Sequence, residues 1–520
     1  MVNAGKPSGS ELPRPSGLPE QRLGALAVQV GGTLRGADVA VRGVTAASSR
    51  VRAGDLFAAL AGGTGHGARF SAEAAAAGAV AVLTDQAGLA MVDPAVPAIV
   101  VDDVRRVLGP LASTVYGCPS RRLQVLGVTG TSGKTTTTFF IRAGLSAAGI
   151  TSGLVGTVAT YLGDEPIKTG LTTPEAPDMQ ALLAVMAERG SRAAAIEVSS
   201  HALRMGRADG IDFAVGAFTN LSQDHLDFHD DMEDYFAAKS TLFDGRSRQV
   251  AVVTDDEWGR RLVRAAIVPE PPLRTVSTAD AAAAAEALGV QVAAWRAVEV
   301  EPGAAGTTTF RVLGPGVDLR AGCAVPGVYN VANVLLALAV LDAAGVPAEV
   351  AAPAVATASV PGRMQRVEAG QAFLAVVDYS HKPAAVEGAL RALRQLTPGR
   401  LIIVLGCGGD RDRAKRPVMG QVAGQGADVL IVTDDNPRSE DPAEIRRAML
   451  AGAHAAPGAG EVREIGDRGE AIAAAVRLAV AGDTVLVAGK GHETGQEVGD
   501  EVISFDDVDV LTRAIRAVTR

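Results

Sequence analysis

Residues 129–136 read Thr-Gly-Thr-Ser-Gly-Lys-Thr-Thr, directly after the apolar run Leu123–Val128. Glycines at this spacing free backbone N–H groups to point inward around a polyphosphate. A helix starting behind them turns its positive end toward the same anion. Within the stretch Gly130, Thr131, Ser132, Gly133, Lys134, Thr135 and Thr136, the Lys134 ammonium can reach β- and γ-phosphates. The Thr135 hydroxyl can ligate magnesium. The strict pattern places glycine where this chain has Val128, and Gly130 is offset. Strand, glycine turn, Lys-Thr and helix still fall in order, which a chance turn does not explain. Such a loop does not by itself separate an ATPase from a GTPase, a kinase or a ligase.

Other reactive residue types gather after apolar runs. Glu197 ends the run Ala193–Val198, where a strand-end acid could hold magnesium. His225 and His229 follow a further apolar strand, in FTNLSQDHLDFHD. One histidine is ordinarily a buried structural group. Here six of the seven (His66, His201, His225, His229, His381 and His492) lie in polar, glycine- or acid-rich segments at strand ends. Ligands of α/β sheets collect at those ends. Lys239, in YFAAKSTLF, sits on a helical pattern, where spacing alone reads it as part of a solvated face. Asp435-Asn436-Pro437-Arg438 follows the strand-like run Val429–Val432. Asn-Pro is an ordinary turn signal, but an arginine there is well suited to clamp a carboxylate through two hydrogen bonds.

The elements that must position these groups are short apolar strands alternating with alanine-rich helices. The strands are expected at Val80–Thr84, Ala98–Val101, Gln124–Val128, Ala214–Thr219, Leu401–Leu405, Val429–Thr433 and Asp483–Ala488. Continuous apolar strands separated by helices imply parallel sheets covered on both faces. Alanine tracts at 74–77 and 281–285 favour helix. The chain of 520 residues exceeds one compact core. Boundaries fall near Gly117–Arg122 and Ser359–Gly362, giving a disordered tail over 1–20 and domains over 21–119, 120–359 and 360–520.

Bulk properties narrow the class. A net charge of -9 without a basic stripe argues against nucleic acid as a partner. No apolar run is long enough to cross a bilayer, and the first twenty residues lack a signal-peptide core. Cys118, Cys323 and Cys407 lie far apart without metal-type spacing, which fits a reducing, cytoplasmic compartment.

Taken together, TGTSGKTT, TTPE (172–175), EVSSHAL, FTNLSQDHLDFH, AAKSTLF and PGVYNVANVLLAL (326–338) resemble the Mur ligases, in this order and over nearly the whole chain. The resemblance implies an α/β protein of three domains. These are an N-terminal uridine-nucleotide-binding domain, a central P-loop ATPase domain with a parallel sheet, and a C-terminal Rossmann-like domain for the incoming amino acid. It implies an ATP- and magnesium-dependent ligase acting on small molecules as a monomer. Lys134 and Thr135 would contact ATP and magnesium, with Glu197 and His225 in the metal site. Lys239 would be carbamylated, which turns a cation into a magnesium ligand. Asn333 would meet the adenine. Arg363, Asp378 and His381 would close over the nucleotide, in a segment reading DYSHKP where the family has DYAHTP. Lys382 is the departure.

Within the family, TAASSRVRAGDLFAAL (45–60) resembles the signature of the branch adding the third peptide residue to UDP-N-acetylmuramoyl-L-alanyl-D-glutamate, with Ser48 replacing an aspartate. That branch implies Ser49, His66 and Gly67 at the uridine diphosphate, and Thr172, Thr173, Ser199 and Arg207 at the muramoyl dipeptide. It also implies Arg411, Asp435, Asn436, Pro437, Arg438, Gly489 and Glu493 at meso-diaminopimelate, whose distal carboxylate Arg438 would clamp. A lysine-adding relative would lack that arginine. A folylpolyglutamate-synthase-like ligase is disfavoured by the N-terminal signature and the Asp-Asn-Pro-Arg turn. A non-catalytic nucleotide switch is disfavoured by Lys134, Glu197, His225 and Lys239 occurring together. The acyl phosphate intermediate is open to attack by water, so the segments holding Lys134 and Arg438 are expected to close over it.

Overall fold

The computed structural model describes residues 12–63, 65–268, 273–278, 292–303, 306–327 and 329–519. The first eleven residues of the expected tail and the alanine tract at 281–285 lie outside the described residues. Residues 12–20, expected to belong to the disordered tail, are instead tied to the fold. Arg14 donates to both carboxylate oxygens of buried Asp55, at 2.6 and 2.7 Å, and the Ser16 amide donates to Glu188.

The chain packs as two compact units. One takes the chain to Arg296 together with Leu313–Asp318 and Ala332–Ala354. The other holds Ala297–Val312, Leu319–Val331 and the chain from Val355 onward.

Besides two short two-stranded ribbons, the first unit carries a five-stranded N-terminal sheet and the parallel body of an eleven-stranded second one. The N-terminal sheet runs in the order Thr33–Arg35, Ala98–Val100, Ala81–Thr84, Asp55–Ala58, Gly43–Thr45, parallel apart from the first pair. Within the eleven-stranded sheet, Ser152–Val155, Ala193–Glu197, Gln124–Thr129, Phe213–Phe218, Ser247–Val253 and Leu273–Ser277 are successive parallel neighbours, and Thr160–Leu162 and Glu165–Ile167 extend it antiparallel beyond Ser152–Val155. Helix Ala176–Glu188 joins the two. Its Ala176, Ala181 and Ala184 enter the N-terminal core with Leu23, Leu56 and Leu108, while Met179, Leu182 and Met186 enter the core of the second sheet. A helix apolar on all sides must be buried on all sides, which is why the expected domains 21–119 and 120–359 share packing here.

The second unit carries a sheet ordered Gln365–Arg366, Leu374–Asp378, Thr484–Ala488, Leu401–Leu405, Val429–Val432, Glu461–Glu464. Its last five strands are parallel. The chain steps outward from Leu401 to Glu464 and then returns to insert Thr484–Ala488 between Leu374–Asp378 and Leu401–Leu405. This reversal opens a crevice at the strands' carboxyl ends. The expected strands all form, with ends moved by a residue at most.

These strands anchor the loops that follow them. Val125, Leu126 and Val128 are fully buried, each contributing about 1.5–3 kcal/mol of apolar burial. The loop at Gly130 therefore starts from a fixed point. Among the described residues no helix is long and apolar enough to cross a membrane.

Candidate functional site

Two neighbours flank the strand that feeds the phosphate loop, and the register sets what they deliver. Val128 stands opposite Glu197 on one side, and Thr129 opposite Phe218 on the other. The carboxyl ends of three adjacent strands therefore meet at Gly130, Val198 and Thr219. Gly130 has φ 141°, and a Cβ there would lie 1.9 Å from Thr219 Oγ1. Gly133 has φ 87°, with Asn333 Oδ1 2.4 Å from where its Cβ would be. The loop is stitched to the next strand's exit: Thr131 N–H donates to Asn220 O, Ser132 N–H to Asn220 Oδ1, and Thr219 Oγ1 to Ser132 O. The helix begins at Lys134, so the Lys134 and Thr135 amides form its N-terminus. Lys134 Nζ donates to Gly130 O and Thr131 O, both at 2.8 Å.

Glu197 is buried and held by one residue, its Oε1 accepting from Thr157 N–H at 2.9 Å and its Oε2 from Thr157 Oγ1 at 3.1 Å. Thr157 Oγ1 lies 3.0 Å from Thr172 Oγ1. Thr173 Oγ1 donates to Glu197 O and accepts from Ser199 N–H. Thr172, Thr173, Ser199 and Glu197 thus form one cluster. Arg207 pairs with Glu175 at 2.9 Å, at the cluster's edge.

Lys239 is the largest departure from the bare sequence reading. It is 1 % exposed rather than on a solvated face. Its Nζ donates to Gly130 O at 2.8 Å and sits 4.5 Å above the Tyr235 ring. Burial, and then the neighbouring Lys134 charge, push its ammonium pKa well below the usual lysine value. Tyr235 OH lies 3.2 Å from Thr131 Oγ1, and burial raises its pKa to about 12. Nothing in the local sequence marked Tyr235; the structure makes it the bridge between Lys239 and the loop.

The histidines divide by role. His229 is wholly buried, with Nδ1 3.0 Å from Asp234 and Nε2 3.0 Å from Ser200 Oγ, a structural arrangement. His225 adopts φ 55° and meets His201 edge-on at 4.8 Å, while His201 stacks on Phe228 at 4.0 Å. Among the described residues no three His, Cys, Asp or Glu side chains converge as a metal-holding group. Glu197 and His225 therefore do not form a ready-made cage.

Of the residues expected at the uridine end, His66 spends both ring nitrogens internally. Nδ1 accepts from Ala68 N–H, leaving Nε2 to donate to Asp85 at 3.1 Å. Gly67 packs against Leu60, whose carbonyl would be 2.9 Å from an added Cβ. Ser49 is exposed in the short turn Ser48–Arg50.

In the second unit, strand register brings Asp378 and Ala488 side by side, so Tyr379 and Gly489 leave the sheet together. Asp378 accepts from the amides of Met364 and Ser380, at 2.7 and 3.0 Å. Arg363 lies 4.6 Å over the Tyr379 ring, and His381 Nδ1 bonds Tyr379 O. Lys382 stands at the N-cap position of helix Pro383–Arg394 without a side-chain capping bond.

Asn436, Arg438, Gly489 and Glu493 also meet. The residue that organises them is Lys490, which the sequence reading passed over. Its side chain is fully buried, donating to Asn436 Oδ1 at 2.8 Å and Glu493 Oε2 at 3.1 Å. Asn436 Nδ2 donates to the same Glu493 oxygen at 2.9 Å. Asp435 is buried, its Oδ2 2.6 Å from where a Gly489 Cβ would stand. A lysine between two glycines at a strand end was the available signal. Arg411 is exposed, its Nη1 donating to the Asp410 carbonyl at 3.4 Å.

Comparisons with known proteins agree with this geometry. Residues 40–116 match the family described as "Mur ligase family, catalytic domain". Residues 128–341 match "Mur ligase middle domain", and residues 362–491 match "Mur ligase, glutamate ligase domain". A UDP-N-acetylmuramoyl-L-alanyl-D-glutamate–2,6-diaminopimelate ligase of Streptomyces coelicolor is 50% identical, over 97% of this chain and 98% of its own. A UDP-N-acetylmuramyl-tripeptide synthetase of Leifsonia xyli is 41% identical, with 98% of each chain covered. A solved 2,6-diaminopimelate ligase superposes with a TM-score of 0.67 at 31% identity, over 92% of this chain and 96% of that one. A folylpolyglutamate synthase of Mycobacterium tuberculosis shares the fold at 17% identity and a TM-score of 0.53, over 78% of this chain and 93% of its own.

Proposed function

The chain belongs to the Mur ligase family, and from that premise we propose that it joins 2,6-diaminopimelate to UDP-N-acetylmuramoyl-L-alanyl-D-glutamate in peptidoglycan precursor synthesis, with ATP as the energy source. The observation that carries the chemistry is the pair of groups beside the phosphate loop: buried Glu197 at the end of one neighbouring strand, and Lys239 Nζ 2.8 Å from Gly130 O. The specific reaction rests on likeness over almost the full length of relatives bearing that name.

The γ-carboxylate of D-glutamate attacks the γ-phosphorus of ATP, ADP leaves, and an acyl phosphate forms. Lys134 and the loop amides stabilise charge on the transferring group. The amino group of diaminopimelate then attacks the acyl carbon, and phosphate leaves as the amide forms. Thr172, Thr173, Ser199 and Arg207 bind the muramoyl dipeptide in this reading, and Ser49 with Gly67 the uridine diphosphate. Asn436, Arg438 and Glu493 receive the distal amino and carboxyl groups of the meso isomer.

Two features of the chain fit magnesium. Glu197 is a buried carboxylate oriented by one threonine, and Lys239 is a buried amine kept toward its neutral form, the form that adds carbon dioxide. Thr135, Glu197, His225 and carbamylated Lys239 would hold the metal, which supplies charge neutralisation across the β- and γ-phosphates. We place the protein in the cytoplasm, as a monomer.

Phosphate release tests the reading, with ATP, magnesium and the UDP-muramoyl dipeptide, comparing meso-diaminopimelate with L-lysine. Release with meso-diaminopimelate alone, and a large rise in its KM in Arg438→Ala, support both reaction and specificity. Equal turnover of lysine would remove the specificity assignment, and silence with both would remove the reaction.

A further inference from the structure

We propose that Glu497, on the hairpin Gly495–Val498/Glu501–Ser504, is a specificity-determining positioning residue that aims the Arg438 guanidinium at the substrate's distal carboxylate. The inference rests on the reading of Arg438 as the carboxylate-binding residue.

Backbone bonds seat the hairpin on the Asp-Asn-Pro-Arg turn. Arg438 N–H donates to Glu497 O at 3.0 Å, Gly499 N–H donates to Arg438 O at 2.8 Å, and Glu497 N–H donates to Asn436 Oδ1 at 3.0 Å. The turn needs this support. Arg438 has φ 53°, a left-handed conformation that a non-glycine residue holds where its surroundings over-determine it.

The side chains extend the same logic. Arg438 Nε donates to Glu497 Oε2 at 2.6 Å, and its Nη1 donates to Gly409 O at 2.8 Å. A guanidinium offers a carboxylate two edges, one through Nε with a terminal nitrogen and one through both terminal nitrogens. Glu497 takes Nε, so the first edge is closed. Neither bond uses Nη2, so an incoming carboxylate is received end-on, at the terminal nitrogens. Glu497 is itself half-exposed, and a salt bridge of that kind contributes little to folding. Its consequence is therefore geometric, fixing one orientation of a long, flexible side chain before the substrate arrives. An L-lysine end group, which has no distal carboxylate, gains nothing from that orientation.

Steady-state kinetics of Glu497→Ala and Glu497→Gln test the assignment, with Arg438→Ala and the double variant alongside. We expect Glu497→Ala to raise KM for meso-diaminopimelate roughly tenfold, with kcat and the KM values for ATP and the UDP-muramoyl dipeptide little moved. Discrimination against L-lysine should narrow by a similar factor. Glu497→Gln, whose amide oxygen still accepts from Nε, should recover most of the loss. In the Arg438→Ala background, Glu497→Ala should have no further effect. An unchanged KM for diaminopimelate in Glu497→Ala, a general rise in all three KM values, or additive losses in the double variant would each overturn the proposal while leaving Arg438 in its role. An unchanged KM in Arg438→Ala itself would overturn the underlying site reading, and this inference with it.

Discussion

Lys134 and Lys239 donate to one acceptor, the carbonyl oxygen of Gly130, each at 2.8 Å. They reach it from different helices, Lys134 from the first turn of Lys134–Ala147 and Lys239 from the last turn of Met232–Ser240. Two ammonium groups on one carbonyl repel each other, and that repulsion adds to burial in favouring the neutral amine at Lys239.

This shift toward the neutral amine leads to the first expectation. Lys239→Ala should lower phosphate release by roughly a hundredfold or more, and the wild-type rate should fall when carbon dioxide is stripped and return with bicarbonate. Intact-protein mass spectrometry before and after stripping checks whether the added carboxyl group is present. Full activity of Lys239→Ala would remove its assigned role.

Gly130 tests the loop geometry. An alanine there must place its Cβ 1.9 Å from Thr219 Oγ1, at a φ of 141°. We expect a loss of about 1–3 kcal/mol in stability and at least a roughly tenfold rise in KM for ATP. Urea unfolding and ATP titration of Gly130→Ala measure the two effects separately. Tight ATP binding by the variant would show that the loop does not cradle the nucleotide.

Lys490 should behave as the keystone of the amino-acid end. Lys490→Met removes the buried cation that Glu493 Oε2 and Asn436 Oδ1 share, leaving Asn436 Oδ1 the Glu497 amide and Glu493 Oε2 the Asn436 amide. Expected outcomes are a stability loss of roughly 2 kcal/mol and a higher KM for diaminopimelate, with KM for ATP unmoved. Lys490→Arg should fail to rescue, since the side chain has no exposed surface into which a larger group could extend. If KM for ATP shifts as much as that for diaminopimelate, the assignment of Lys490 to the amino-acid end is wrong.

Glu440 provides an acid-sensitive support for the loop before Lys415. Arg416 binds both of its oxygens, and the Asp410 amide adds a further bond, which hold its carboxyl pKa down at about 2, from 4.5. A carboxyl lowered in the folded state contributes stability above its ordinary pKa. That stability is lost as pH falls through the folded value. Urea midpoints should therefore fall between about 4.5 and about 2 in the wild type. In Glu440→Gln they should start lower at neutral pH and change less. Parallel slopes in the two proteins would rule this pair out as a source of acid sensitivity.

Much of the architecture was legible because burial leaves a one-dimensional trace. A strand covered on both faces must be apolar throughout, so Leu401–Leu405 and Gln124–Thr129 announce themselves, and polar residues just past such strands stand out as site candidates. Glu197 was found on that signal, whereas Asp378 came only from the family resemblance. His66 shows its limit, because a histidine at a strand end can still direct both nitrogens inward.

What the sequence by itself determined is the set of local devices: the glycine loop, its lysine, the parallel strands and the turn bearing Arg438. These depend on backbone freedom and hydrophobic periodicity, which neighbouring residues carry. The tertiary structure decided everything that needs a partner distant along the chain. Lys239 reads as a surface residue until its helix sets it against Gly130, 109 positions away. Arg438 reads as unengaged until Glu497 arrives from 59 positions away. Burial and charge pairing are properties of such approaches, and a lysine or an arginine looks the same in sequence whether water or another residue surrounds it.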